Sequence, residues 1–251
     1  MDTRLSPVFW ERMLGEDAES LHATLSRHAK DNLGWIMDQA HCLSHHLRPD
    51  GQRRSVIGEF SIGVAEEAAK TSRRLGILSF ATAAACLKAG DPRQKYAIKR
   101  HVDLLRDIAR TDLNRALDIA AMTVSGVITA NPMRVVMLDF ILTHAGKDDA
   151  RFNYLLARTA SMLDEGSIDM FMRRLARHAY QKPYETMMAI REMMDNADKM
   201  TFTQREKATA LQNALGENPV TLNEVLKREY DIDLGLPVLS SAPAMKGQRL
   251  H

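Results

Sequence analysis

The stretch His41-Cys42-Leu43-Ser44-His45-His46 holds three imidazoles and one of the chain's two cysteines. On a helix His41 and His45 are i,i+4 neighbours, and so are Cys42 and His46. Zinc accepts imidazole nitrogen and thiolate. Glu19-Ser-Leu-His22 adds the Glu-x-x-His spacing that di-iron helical bundles use. The two i,i+4 pairs point about a quarter-turn apart, so one helix offers at most two ligands to one ion. No second Cys/His cluster in the sequence completes the set. Near a helix C-terminus, imidazoles are also favoured because their cationic form suits the dipole. The stretch therefore reads as a polar stripe, with His41 and His45 the weak metal candidates and no cofactor expected.

Basic residues form the second constellation. The run DPRQKYAIKRHVDLLRDIARTDLNR places Lys95, Lys99, Arg100, Arg106 and Arg110 within one helix-length segment, and Arg53-Arg54 and Arg73-Arg74 add basic pairs. Clustered cations suit phosphate, and interleaved aromatics would add base stacking. Only Tyr96 stands there to stack, and Asp103 and Asp107 interrupt the face, so intrahelical ion pairs explain the pattern equally well. The segment from Thr201 to Glu229 has the outline of a helix-turn-helix, but its second helix carries Lys227 and Arg228 late rather than at a groove-reading start.

Methionine is the third signal. Eight of the chain's 15 methionines fall between Met162 and Met200, and Tyr184, Met187, Met188 and Met194 lie with Ile190 and Ala197 on a broad apolar face. Unbranched, polarisable side chains fill irregular cores, and they also line adaptable binding grooves. Nucleophile elbows, Walker-type loops, dinucleotide fingerprints and His-Glu-x-x-His are all missing from the sequence. The acidic pairs Asp148-Asp149 and Asp164-Glu165 fit helix ends. A site assembled from dispersed residues would leave no such signature.

The elements expected to position these groups are helices throughout. Apolar residues recur at helical spacing, as in Ile98, Val102, Leu105 and Ala109, and no convincing strand appears. Asp91-Pro92, Asn131-Pro132 and Asn218-Pro219 look like N-caps followed by proline. Thr201 to Gln204 and Thr221 to Glu224 fit capping boxes. Gly90, Gly146, Gly166 and Gly216 stand where left-handed C-terminal residues are expected. The periodicity predicts helices near 7–14, 17–47, 53–74, 76–89, 92–110, 112–130, 132–145, 149–164, 167–180, 183–198, 202–215 and 220–230. The fold expected is all-α, a multi-helix bundle or a short stack of antiparallel helical hairpins. Residues 1–52 form an N-terminal segment that can belong to the same domain, 53–230 the main domain, and 231–251 a flexible or extended tail.

Composition sets the remaining bounds. Hydrophobic residues make up 45% and charged residues 26%, as in globular chains, and 34 Lys plus Arg against 32 Asp plus Glu leaves a net charge of +2. That balance gives no global field for nucleic acid or anionic membrane. The uncharged stretches 75–87 and 119–133 fall short of the ~20 apolar residues of a membrane span, and buried central helices account for both. Two cysteines allow one disulfide but no disulfide framework, and the N-terminus lacks the pattern of a secretory signal. These features point to a non-enzymatic, cytoplasmic interaction protein, an adaptor or scaffold. It would bind a protein partner through Tyr184, Met187, Met188 and Met194, without stable membrane insertion, and a homo-oligomer is compatible with the sequence. Nucleic-acid binding through the basic helix is the alternative.

Overall fold

The computed structural model describes residues 17–48, 51–126, 129–145 and 151–235. Among them it is all-α, with no strand. The chain divides into two compact units, one up to Thr159 and the other from Ala160 onward. The helix expected at 7–14 and most of the tail expected at 231–251 lie outside the described residues.

In the first unit α1 runs Ala18–Ser44, α2 Gln52–Thr71, α3 Arg73–Cys86, α4 Pro92–Ala109, α5 Leu113–Ser125, α6 Asn131–His144 and α7 Arg151–Thr159. Asp17 starts α1 by accepting from Ser20 N at 2.8 Å. The helix is interrupted at Asn32 (φ −154°, ψ 82°), whose Oδ1 accepts from Trp35 N at 3.0 Å and so starts the second half. Asp91 and Asp112 cap α4 and α5 in the same way, accepting from Arg93 N and Arg115 N.

Only Ser72, in extended conformation, separates α2 from α3, three residues earlier than the periodicity predicts. The two helices fold back on each other with almost no spacer. Gly76 is a contact residue inside α3: a Cβ built there would lie 2.6 Å from Ala69 Cβ. At the far end of the hairpin, a Cβ on Gly58 would lie 2.9 Å from Leu87 N. Backbones can approach this closely only where side chains are missing. The run 75–87 is buried only in part: Phe80, Ala83 and Ala84 are fully inaccessible, whereas Leu75, Leu78, Ala81 and Ala85 are half-buried.

The end of α3 would otherwise leave carbonyls unpaired in the interior. Arg54 of α2 donates to Ala85 O at 3.1 Å, and the buried Gln94 of α4 donates to Ala84 O at 2.9 Å and Leu87 O at 3.3 Å. Around this hairpin pack Leu21, Leu25, Ile36, Met37, Ala40 and Leu43 of α1 with Ile57 and Phe60 of α2. Cys86 and Cys42 are both free thiols, and burial pushes Cys86 up to about 11.

The second unit begins with a 3-10 turn, Ala160–Met162, followed by α8 (Glu165–His178), α9 (Pro183–Asn196), α10 (Phe202–Leu215) and α11 (Pro219–Tyr230). Asp164 caps α8, accepting from Ser167 N, so Gly166 lies inside the first turn rather than after a helix. Thr201 and Gln204 form the expected capping box, and Gln204 also donates to Glu165 O at 2.9 Å. Asn218 alone caps α11, accepting from Val220 N and Thr221 N, so Thr221 is a first-turn residue and not a second capping box. Asn131 likewise opens α6 as its first residue, with Ala130 at the cap position. Left-handed backbone is found among the described residues at Gly90, Gly235 and Asp231, whereas Gly216 is right-handed. Asp231 turns the chain back along α11, where Leu234 N donates to Asn223 Oδ1 at 2.8 Å.

The close approach in the α2–α3 hairpin predicts that Gly76→Ala and Gly58→Ala each lose ~1–3 kcal/mol by overpacking. Gly63→Ala should be neutral or stabilising by up to ~1 kcal/mol, because a Cβ there meets nothing within 4 Å and glycine weakens a helix interior. Urea titration of the three variants separates the outcomes.

Candidate functional site

The first unit holds a cavity of about 680 Å³. Its apolar surface comes from Ile77, Leu78 and Ala81 of α3, Ile108 of α4, and Ile119 and Met122 of α5. A space of this size with an apolar lining and a few polar groups matches the ordinary form of a small-molecule site. The uncharged run 119–133 is therefore not fully buried: Met122 is 67% exposed at this cavity, while Ala120 and Val124 face inward. Arg134 of α6 donates to Gly126 O at 2.6 Å and Thr129 to Thr123 O at 2.7 Å, which ties down the end of α5 that bears Met122 and Thr123.

The histidine stripe supplies part of the polar lining. Asp38, His41 and His45 reach the cavity from α1, whereas Cys42 and His46 do not line it. Thr82 gives its hydroxyl proton to Leu78 O at 2.8 Å, so it can only accept from His41 Nδ1 at 3.0 Å. His41 thus carries its proton on Nδ1 and presents a bare Nε2. That nitrogen lies 3.4 Å from His45 Nε2, which must donate, and the two rings meet edge to face. Burial, and then each ring's basic neighbour, holds both imidazoles below their ordinary value. Among the described residues no group of three His, Cys, Asp or Glu comes together to hold a metal.

Three guanidiniums stand at the same cavity: Arg73 and Arg74 in the first turn of α3, and Arg115 in the first turn of α5. Neither first turn contains an acidic residue. Cations there oppose the helix dipole, which favours negative charge at an N-terminus. The carboxylates nearby are already engaged. Asp38 lies 3.9 Å from Arg74, Asp118 pairs with Arg151 at 2.7 Å, and Asp112 caps α5. Arg73 and Arg115 have no ion pair among the described residues. In the sequence Arg73-Arg74 reads as one basic pair among several, and Arg115 as the end of the basic run. The available signal was Ser72-Arg73-Arg74, a capping residue followed by cations where acids are usual.

The basic helix lies elsewhere and is largely neutralised. Arg100 makes a two-pronged contact with Glu66, Nε to Oε1 at 2.7 Å and Nη2 to Oε2 at 3.0 Å, and its guanidinium lies over the Phe80 ring. Arg100 and the Tyr96 hydroxyl together hold Glu66 down to about 2. Arg106 pairs with Asp103 and Arg110 with Asp107. Lys95 and Lys99 are exposed. In the second unit Lys227 pairs with Asp233 and Arg228 with Glu229. Tyr184 is 65% exposed; Met187, Met188 and Met194 are half-buried; Ile190, Met193 and Ala197 are buried.

Comparison with known proteins gives no match: no family model, no curated protein and no solved structure is similar to this chain.

One titratable group outside the cavity affects the whole first unit. His101 of α4 is fully buried, with Nδ1 donating to Ile77 O at 3.2 Å and no hydrogen-bond partner for Nε2. Desolvation lowers it from 6.5 to about 4. Below about pH 6.5 the unfolded chain takes up a proton that the folded chain refuses until about pH 4, so stability falls with acidification. The loss from this group reaches ~3 kcal/mol by pH 4. Chemical denaturation at pH 7 and pH 4 should show His101→Leu losing ~3 kcal/mol less than the parent chain. Equal losses would mean that His101 is hydrated or charged in the folded state.

Proposed function

We propose that the protein is a non-enzymatic binding protein whose first unit takes up a small molecule in the α1–α3–α5 cavity. The observation that carries this reading is the cavity itself: about 680 Å³, bounded by helices that are fixed at their ends by side-chain hydrogen bonds. Pre-formed apolar concavity of this kind lowers the ordering cost of binding. A catalytic role has less support: of the titratable groups at the cavity His45 donates to His41, Asp112 and Asp118 are engaged, and Arg73, Arg74 and Arg115 are cations suited to binding charge. The hydroxyl bonded to His41, that of Thr82, gives its proton to Leu78 O and not to the ring.

The second unit supports a second reading, that of an adaptor. Tyr184 is exposed, and Met187, Met188 and Met194 keep part of their surface open, which suits an adaptable protein contact. Both functions can reside in one chain. The nucleic-acid alternative has less to stand on, since Arg100, Arg106 and Arg110 are already in ion pairs.

A neutral solvatochromic dye such as Nile red tests the first reading. Its fluorescence should rise on binding, and Ala81→Phe, which fills the cavity from α3, should weaken binding about tenfold or more at unchanged thermal stability. Equal binding by that variant would exclude the cavity. For the second reading, Met187→Ser, Met188→Ser and Met194→Ser combined should abolish capture of a protein partner from lysate while leaving dye binding intact. Unchanged capture would remove this face from the account.

A further inference from the structure

We infer that the ligand of this cavity is an amphipathic organic anion, its acidic head at Arg73, Arg74 and Arg115 and its apolar body against the α3–α5 lining. The inference rests on the cavity being the binding site and adds the chemical class of its occupant. Two helices begin at the cavity, α3 at Arg73 and α5 at Leu113, and each N-terminus carries the positive end of its dipole; at α5 the Arg115 amide is already capped by Asp112. Ser72, at the cap position of α3, makes no side-chain hydrogen bond to the first-turn amides of that helix. Onto these ends the sequence places three cations, Arg73 and Arg74 at α3 and Arg115 at α5, where Asp112 is the acid at the cap.

The local carboxylates do not cancel this charge. Asp118 is neutralised by Arg151 and Asp112 is held at the start of α5; Asp38 reaches Arg74 only at 3.9 Å. Arg73 and Arg115 are left as exposed guanidiniums at the mouth of an apolar space. An anion relieves the repulsion among these cations and the dipole of α3, and guanidinium forks fit the paired oxygens of carboxylate or phosphate. The apolar residues behind them, with Met122 the most open, accept a hydrocarbon or aromatic body but offer little to a fully hydrated ion. Head and body requirements together select an amphiphile over a free inorganic anion, and an anion over an amine.

Calorimetric titration of the full chain with four ligands of equal tail, below their micelle concentrations, tests this: decanoate, decyl phosphate, decanol and decyltrimethylammonium. Inorganic phosphate is the fifth. The anions should bind at least about tenfold tighter than decanol, and neither the ammonium nor inorganic phosphate should bind measurably. Arg73→Gln combined with Arg115→Gln should weaken the anions about tenfold and leave decanol unchanged; both residues are exposed, so the fold is not at risk. The tighter of decanoate and decyl phosphate identifies the head group. Decanol equalling the anions in affinity, or anion affinity unmoved by the double substitution, overturns the inference and leaves the cavity reading intact. Inorganic phosphate matching decyl phosphate removes the amphiphile. If none of the ligands binds and Nile red is also indifferent to Ala81→Phe, the cavity reading itself has failed.

Discussion

The contact between α2 and α3 governs the first unit. Gly58 and Gly76 let the two backbones meet at both ends of the hairpin, with Ala69 and the Cys86–Leu87 peptide filling the space that side chains would take. Once α3 is pressed this closely against α2, its C-terminal carbonyls leave water, and they need internal donors. Arg54 and Gln94 provide them from α2 and α4, so the same contact also fixes where α4 begins. Its other face carries Ile77, Leu78 and Ala81, which are left to line the cavity. The cavity is thus a consequence of how α3 is held, and not an accident of loose packing.

Fixing α3 also sets the electrostatics. The abrupt break at Ser72 delivers the start of α3, with Arg73 and Arg74, to the cavity, and Asp112 delivers the start of α5 with Arg115. Where a protein needs only stable helices, acids occupy first turns and bases occupy last turns. First turns without acids occur also at α2 and α4, but at α3 and α5 the first-turn cations meet one space, with Asp112 the acid at the α5 cap. Each misplaced cation costs about 0.3–1 kcal/mol near the surface, and a bound anion returns that cost as affinity. The histidine stripe contributes differently: His41 and His45 satisfy each other and Thr82 as neutral rings, presenting a polar wall without adding charge.

Much of the architecture was legible in the sequence, for reasons that can be named. Helix class followed from apolar periodicity, and Asp91, Thr201 and Asn218 marked helix starts because short polar side chains reach first-turn amides. Asn32 was hidden, whereas the break at Ser72 was legible and only placed three residues too late. An interruption inside a continuing apolar stripe alters no periodicity, and the close backbone contact at Gly76 leaves no local signature. The cavity was hidden more deeply. Met122 sits in an uncharged run that predicts burial, and only the packing of α1, α3 and α5 shows it open. The basic helix was legible in part: Arg106 and Arg110 take the intrahelical acids the pattern offered, whereas Glu66 neutralises Arg100 from a segment 34 residues away, a pairing that no local pattern reveals.

The most direct test of the account is an amide ¹H–¹⁵N spectrum of the full chain, recorded with and without saturating decyl phosphate. The account predicts shift changes concentrated in the first turns of α3 and α5 and along Ile77–Ala85 and Ile119–Thr123, with His41 and His45 side-chain signals moving alongside them. Changes concentrated in α8 to α11, or scattered over exposed surface with residues 73–85 silent, would contradict it.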